Sequence, residues 1–427
     1  MYSFDPTTKQ LAKSSGRILT TPVVVSGRAK MRCVLYEPAA PTEKSRIGIV
    51  LIHSDEDYSD FPIAAALAER GYRCLAGQVS DPGGPLEQKL LDVKHALEFL
   101  KSLPGVEKLA LLGHSGGATL MSAYQAAAEK GVGLWARNEL LYPLRLNEDL
   151  ISADAMLLLD SNFGNGAMTL FSIDPAVIEE GNGQKLDPAL DIFNPQNGYD
   201  PEQPDYSDAF LKDFFRAQRE RNNAIIRRAL DRLTLLEQGK GNYIDDEPFP
   251  VTGAAQFMIA NKLIPQDVRL LAHTKAPWPL LHADGRVTRE IIFCRRLPRG
   301  GRSVTPLLHF GVMSTVRAFL SNRAVLAAED YGIHPNGVTG VCWDGTYTCT
   351  PGNVRHVSVP MLILGMTGSY EYLAAEEIFH SAASEDKTLA FVDGAGHNFH
   401  AAGREAEFGH TENVVYDTCD RFLSEHL

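Results

Sequence analysis

The 427-residue chain predicts an α/β fold, a mostly parallel central sheet flanked by helices, with one large and mainly helical insertion. Three observations carry this expectation. Continuous apolar runs rich in β-branched residues alternate with amphipathic helical stretches, as strands buried on both faces require. The pentapeptide Gly113-His114-Ser115-Gly116-Gly117 stands between an apolar run at 109–112 and a helix-like stretch at 118–128. After Asp160 the alternation stops, and it resumes only at 359.

Taken in order, 22–25 and 32–36 read as an antiparallel edge hairpin turning near Gly27, with Glu37-Pro38 ending its second strand. The run 48–53 is a buried strand, 61–70 a helix closed by Gly71, and 72–76 the next strand. In 86–100, Leu90, Val93, Leu97 and Leu100 keep helical spacing, and Pro104-Gly105 breaks that helix before the strand leading to Ser115. Residues 155–160 form one more strand. The insertion that follows holds a loop-like stretch at 187–204, a long helix over about 206–236, a hairpin within 280–306 around Asp284-Gly285, and a helix over about 312–330. Strand 359–365, helix 374–383, strand 388–392 and a final helix over about 411–427 complete the order. The expected division is a core of 1–164 and 356–427, with 165–355 as a cap.

Composition narrows the function classes. With 44% hydrophobic and 22% charged residues the chain is ordinary globular, and its net charge of −12 comes from 53 acidic against 41 basic residues. That balance disfavours nucleic acid and anionic membranes as partners. The N-terminus lacks a basic segment followed by an apolar run, so a soluble, cytoplasmic protein is expected. The six cysteines are scattered and read as free thiols. Cys342 and Cys349 flank a turn predicted at 343–346, across which they could face each other. No spacing of a zinc site accompanies them, and no phosphate- or dinucleotide-binding glycine pattern is present. Neither metal nor cofactor is expected.

A serine where a buried strand turns sharply into a helix is a nucleophile elbow. Its flanking glycines give the turn room, and the helix N-terminus behind it offers N–H groups to a developing oxyanion. With the strand ending at His53, the elbow, and Gly394-Ala395-Gly396-His397 after the last strand, the sequence resembles the α/β-hydrolase superfamily over roughly 20–164 and 356–427. The insertion lies where that family places its cap.

The resemblance implies Ser115 as nucleophile and His397 as its base, with His400 as runner-up. The acid is less direct. Most of the family carries it at the place of Gly368, where this chain has no carboxylate. Asp160, at the end of the strand after the elbow helix, and Glu371, three residues beyond Gly368, are the alternatives, one or the other and not both; Asp160 has the more rigid position. The oxyanion hole is expected from the N–H of Gly116 and that of Ser54 or Asp55. Asp55, Glu56 and Asp57 read as a solvated loop, or one that repels anionic substrates. Phe163, Phe171, Phe193, Tyr199, Trp278 and Trp343 are either cap core or pocket lining, and the basic run 295–302 is a solvated loop.

The function these residues imply is a serine hydrolase that cleaves an ester, lactone or amide of a small, largely apolar molecule through an acyl-enzyme. A carbon–carbon or thioester hydrolase on the same scaffold is the alternative enzyme, and a non-catalytic ligand-binding protein the alternative class. A homodimer is compatible with the long helical insertion.

Overall fold

The computed structural model describes residues 16–27, 29–135, 140–254, 263–297 and 311–427. Strands β1 (Ile18–Ser26) and β2 (Lys30–Pro38) form the expected edge hairpin, with Val24 opposite Arg32. Then come β3 (Ile47–His53), β4 (Arg73–Gln78), β5 (Lys108–His114) and β6 (Ala155–Leu159). In the insertion lie β7 (Val177–Glu179), β8 (Asn182–Leu186), β9 (Val251–Thr252), β10 (His273–Leu281), β11 (Val287–Phe293), β12 (Gly311–Val312), β13 (Ala327–His334) and β14 (Gly337–Val341). The last two are β15 (Met361–Met366) and β16 (Lys387–Val392).

Ten of these build one sheet in the order β1-β2-β4-β3-β5-β6-β15-β16-β10-β11. From β4 to β10 every neighbouring pair is parallel. All seven residues of β3 and all six of β15 are buried, which explains their unbroken apolar sequence. The two faces alternate with the period of a strand. Val50, Ile52, Leu111, Leu158 and Ile363 pack on one side with the helices Leu86–Ser102 and Gly116–Lys130. Ile49, Leu51, Leu112, Leu159 and Leu364 pack on the other with Pro62–Glu69 and Thr411–His426.

The insertion departs from expectation in two places. The turn at Asp284-Gly285 is present, but its hairpin is not part of a cap. β10 lies parallel to β16, with Leu280 and Leu281 opposite Phe391 and Val392, and extends the central sheet. The expected helix over 312–330 is limited to Val316–Asn322, after which the chain becomes β13. Local helix propensity loses here to the 30-residue helix Asp208–Glu237. Asn222 Nδ2 donates to the Val325 carbonyl (2.9 Å), while Asn223 donates to the carbonyl and accepts from the N–H of Ala327 (2.8 and 3.1 Å). Those three bonds hold 325–327 extended. The insertion also shares the core on the first face of the sheet, through Phe214, Ile226 and Phe319.

Cys342 and Cys349 are both free, one exposed and the other buried. Phe163 stacks on Trp343, Phe193 meets Tyr199, and Trp278 packs on Phe379, so these aromatics serve packing. In the basic run Arg295 pairs with Asp393 (3.1 Å); Arg299 and Arg302 lie outside the described residues. Among the described residues no helix is long and apolar enough to cross a membrane.

Candidate active site

Ser115 follows β5 directly and has φ 53°, ψ −129°, a conformation that L-residues avoid. The turn closes because a Cβ on Gly113 would lie 2.5 Å from Ala118 Cα, so only glycine lets strand and helix approach this closely. Asp160, at the end of β6, also has positive φ (41°), as do Phe399 and Ala402 in the loop after His397. Backbone strain thus gathers where β5, β6 and β16 end, as it does at functional sites.

Asp160 is fully buried. Its Oδ2 lies 2.6 Å from His397 Nδ1, and its Oδ1 accepts the N–H of Met366 (3.0 Å). Glu371, also buried, has Oε2 3.8 Å from the same Nδ1. The two carboxylates that the sequence left as alternatives therefore face one imidazole, and Asp160 makes the direct hydrogen bond. Asp160, Glu371 and His397 each bring one ligand-type atom within 4.8 Å of the others. Gly368 is bare for a steric reason. A Cβ there would sit 2.8 Å from the Ala395 carbonyl oxygen, so the loop carrying His397 leaves no room for a side chain. His400 points elsewhere, 3.4 Å from Glu412.

Burial disfavours a charged His397, but Glu371, the hydrogen bond to Asp160 and the charge on Glu56 outweigh it and raise its pKa to about 9. The neighbouring imidazoles behave oppositely. His114 packs 4.5 Å from the His397 ring, donates from Nε2 to the His397 carbonyl (2.7 Å), and accepts at Nδ1 from the Tyr58 hydroxyl (2.7 Å). Burial and the charge of His397 keep it neutral. His53 Nδ1 accepts the N–H groups of Asp55 and Glu56 (3.1 and 3.0 Å), which leaves its proton on Nε2. Burial lowers its pKa to about 4, with His397 and Lys89 acting in the same direction and Asp55 against.

The N–H of Asp55 is given to the His53 imidazole, onto which the loop curls back, so of the two expected donors Ser54 and Asp55 it is Asp55 whose N–H is already engaged. A Cβ on Gly116 would meet Asn165 Oδ1, Ser54 Oγ and His53 Nε2 at 2.8–3.1 Å, so polar groups ring the residue after the serine. Asn165 Nδ2 donates to Ser54 Oγ (3.0 Å), and Ser54 Oγ to Asp55 Oδ2 (2.9 Å).

Nor is Asp55 solvated. Its side chain is only 8% exposed and lies against Lys89 (3.3 Å) and Arg323 (3.5 Å). Burial opposes its charge, but those two cations outweigh it and hold its carboxyl well below the usual range. Lys89, buried, is itself pulled below its ordinary value by burial, against the attraction of Asp55.

The sequence reading missed His114, Tyr58, Asn165 and Lys89. Lys89 carried a signal, since it lies three residues after Leu86 and four before Val93 on the apolar face of its helix. His114 carried one as well, as a polar residue closing a buried strand.

No family model and no curated protein matches the chain. Among solved structures it is similar to a hypothetical protein from Pseudomonas aeruginosa (14% identity, TM-score 0.49, covering 98% of this chain and 97% of that one). It is also similar to Est1E from Butyrivibrio proteoclasticus (13%, 0.40, 95% and 98%) and to dienelactone hydrolase from Anabaena variabilis ATCC 29413 (10%, 0.39, 96% and 99%). The strand order β1-β2-β4-β3-β5-β6-β15-β16 and the sharp strand-to-helix turn after β5 give the chain the architecture of the α/β-hydrolase fold.

Proposed function

We propose that the protein is a serine hydrolase that cleaves an ester, lactone or amide bond of a small, largely apolar molecule through an acyl-enzyme on Ser115. The observation that carries this reading is the 2.6 Å contact between Asp160 Oδ2 and His397 Nδ1, with Ser115, held at φ 53°, directly after the His114 that bonds the His397 carbonyl. Asp160 accepts the Nδ1 proton and thereby leaves Nε2 as the basic nitrogen. As Ser115 Oγ bonds to the acyl carbon, its proton passes to Nε2 and the carbonyl electron pair moves onto oxygen. The N–H groups of Gly116 and Ser54 receive that oxyanion. Collapse expels the leaving group with the proton from Nε2, and water reverses the sequence to release the acid.

His114 and Tyr58 position the base, since the hydrogen bond to the His397 carbonyl fixes its loop beside the elbow. In this reading residues 165–355, apart from β10 and β11, roof the pocket.

The test is intact mass after exposure to a fluorophosphonate, with peptide mapping. One adduct on Ser115, absent in Ser115→Ala, is expected. A folded protein that takes no label at pH 9, where the base is about half deprotonated, would contradict the reading.

A further inference from the structure

We infer that Glu371 is a second carboxylate of the catalytic centre, a positioning residue that shares His397 Nδ1 with Asp160 and takes over the imidazole when Asp160 is neutralised. This rests on the serine hydrolase reading for its chemistry, though not for its geometry.

The two carboxylates arrive from different elements and are held by one strand end. Asp160 follows β6, and its Oδ1 is fixed by the N–H of Met366, the last residue of β15. Glu371 stands five residues further on. Its N–H donates to Ser369 Oγ (3.2 Å), and its carbonyl accepts the N–H of Ala374 at the start of the helix Ala374–Ser381. Its backbone is thus anchored on both sides, and its side chain is buried with Oε2 3.8 Å from Nδ1.

Placing a carboxylate out of water beside another carboxylate is unfavourable by desolvation and by repulsion. The imidazole between them relieves both costs when it takes up a proton, as it does during acyl transfer. The other groups facing His397 do not substitute for that role. His114, on β5, is neutral and bonded to Tyr58 and to the His397 carbonyl. His53, at the end of β3, is neutral and accepts two backbone N–H groups. Glu56, on the loop after β3, acts on His397 through its charge, and burial raises its own pKa.

In the resting arrangement Asp160 holds the hydrogen bond and Glu371 adds charge. When Asp160 becomes an amide, Glu371 needs to advance only about 1 Å to reach hydrogen-bond distance, well within the reach of its rotatable side chain. The place that Gly368 leaves empty for steric reasons is thus served from three residues beyond it.

The experiment is a double-mutant cycle on Ser115 acylation by the fluorophosphonate with Glu371→Gln, Asp160→Asn and the pair. A parallel titration of the His397 ring by NMR is run on the unlabelled proteins, with thermal melts confirming folding. Expected losses in labelling rate are about 3-fold for Glu371→Gln, about 10²-fold for Asp160→Asn and about 10⁴-fold for both, well beyond the product of the single changes. In Glu371→Gln the His397 ring titrates at lower pH, and Glu371→Asp, which keeps the charge but shortens the reach, lies between it and the wild type. A double loss equal to the product of the single losses would overturn the proposal. So would an unchanged His397 titration in Glu371→Gln. If the wild-type protein takes no label, the hydrolase reading fails, and the ring titration still decides whether Glu371 acts on His397.

Discussion

The strand ends that carry Ser115, Asp160 and His397 and the insertion segment 316–354 both pack around the elbow helix, yet they are held in different ways. The strand ends are fixed by backbone. Asp160 N–H bonds the Leu364 carbonyl (2.7 Å), Ser115 N–H faces the Leu159 carbonyl (3.4 Å), and glycines let the turns close. The insertion is fixed by side chains that reach across to it. Asn222 and Asn223 hold 325–327, Arg323 meets Asp55, and Asn353 Nδ2 donates to Ser122 Oγ (3.1 Å). The proposed catalytic residues therefore rest on geometry that few substitutions can move, while their surroundings rest on individual polar contacts that single substitutions remove.

The sharpest way to break this contrast is at Ser115. Ser115→Gly is expected to lower kcat by about 10⁶-fold. It is also expected to raise unfolding free energy by about 1 kcal/mol, because glycine tolerates the positive φ that serine does not. Steady-state kinetics and denaturant unfolding test both, and a loss of stability would mean that the elbow is not strained.

Next in size is Asp55→Ala, which leaves Lys89 buried without its carboxylate and should destabilise the fold by about 3–5 kcal/mol in denaturant melts. Lys89→Met with Asp55→Leu removes the buried ammonium as well and should recover part of that loss, because Arg323, the third charge of the cluster, stays in place. If Asp55→Ala instead leaves stability intact, the clamp on the insertion is not made by this cluster.

Asn223→Ala removes two hydrogen bonds from the backbone of 327 and should cost about 1–2 kcal/mol, with the wild-type catalytic rate retained below the melting transition. A large loss in rate without a loss in stability would show that β13 positions the chemistry directly.

The smallest effect is in pH. A base at His397, as proposed, must be neutral to act, so kcat/KM should rise with pH and level off near its value of about 9. The same raised value means that protonation of His397 favours the folded state. That contribution is complete below the ordinary histidine value of 6.5 and is lost as pH rises through about 9. Melting temperatures of wild type and His397→Ala should therefore differ most at low pH and converge at high pH.

The same contrast explains what could be read from the sequence. β3, β5, β6, β15 and β16 are apolar runs buried on both faces, and the elbow and the histidine loop carry glycines that report their backbones, so strands and nucleophile stood out. The acid was narrowed to Asp160 and Glu371 but not resolved, because the crowding of Gly368 by the Ala395 carbonyl is a contact between segments far apart in sequence. The stretch 323–330 reads locally as the end of a helix because the side chains that hold 325–327 extended lie about a hundred residues earlier. The place of β10 and β11 in the central sheet depends on a pairing with β16 that no local pattern announces.

The bond from His114 to the His397 carbonyl joins the residue before Ser115 to the residue proposed as its base. Both ends lie in well-packed surroundings, with Tyr58 behind the imidazole and Phe399 edge-on to it at 5.0 Å. That bond ties the loop of His397 to the end of β5, so heat inactivation of the proposed enzyme is expected to coincide with melting of the central sheet, one thermal transition serving for both fold and chemistry.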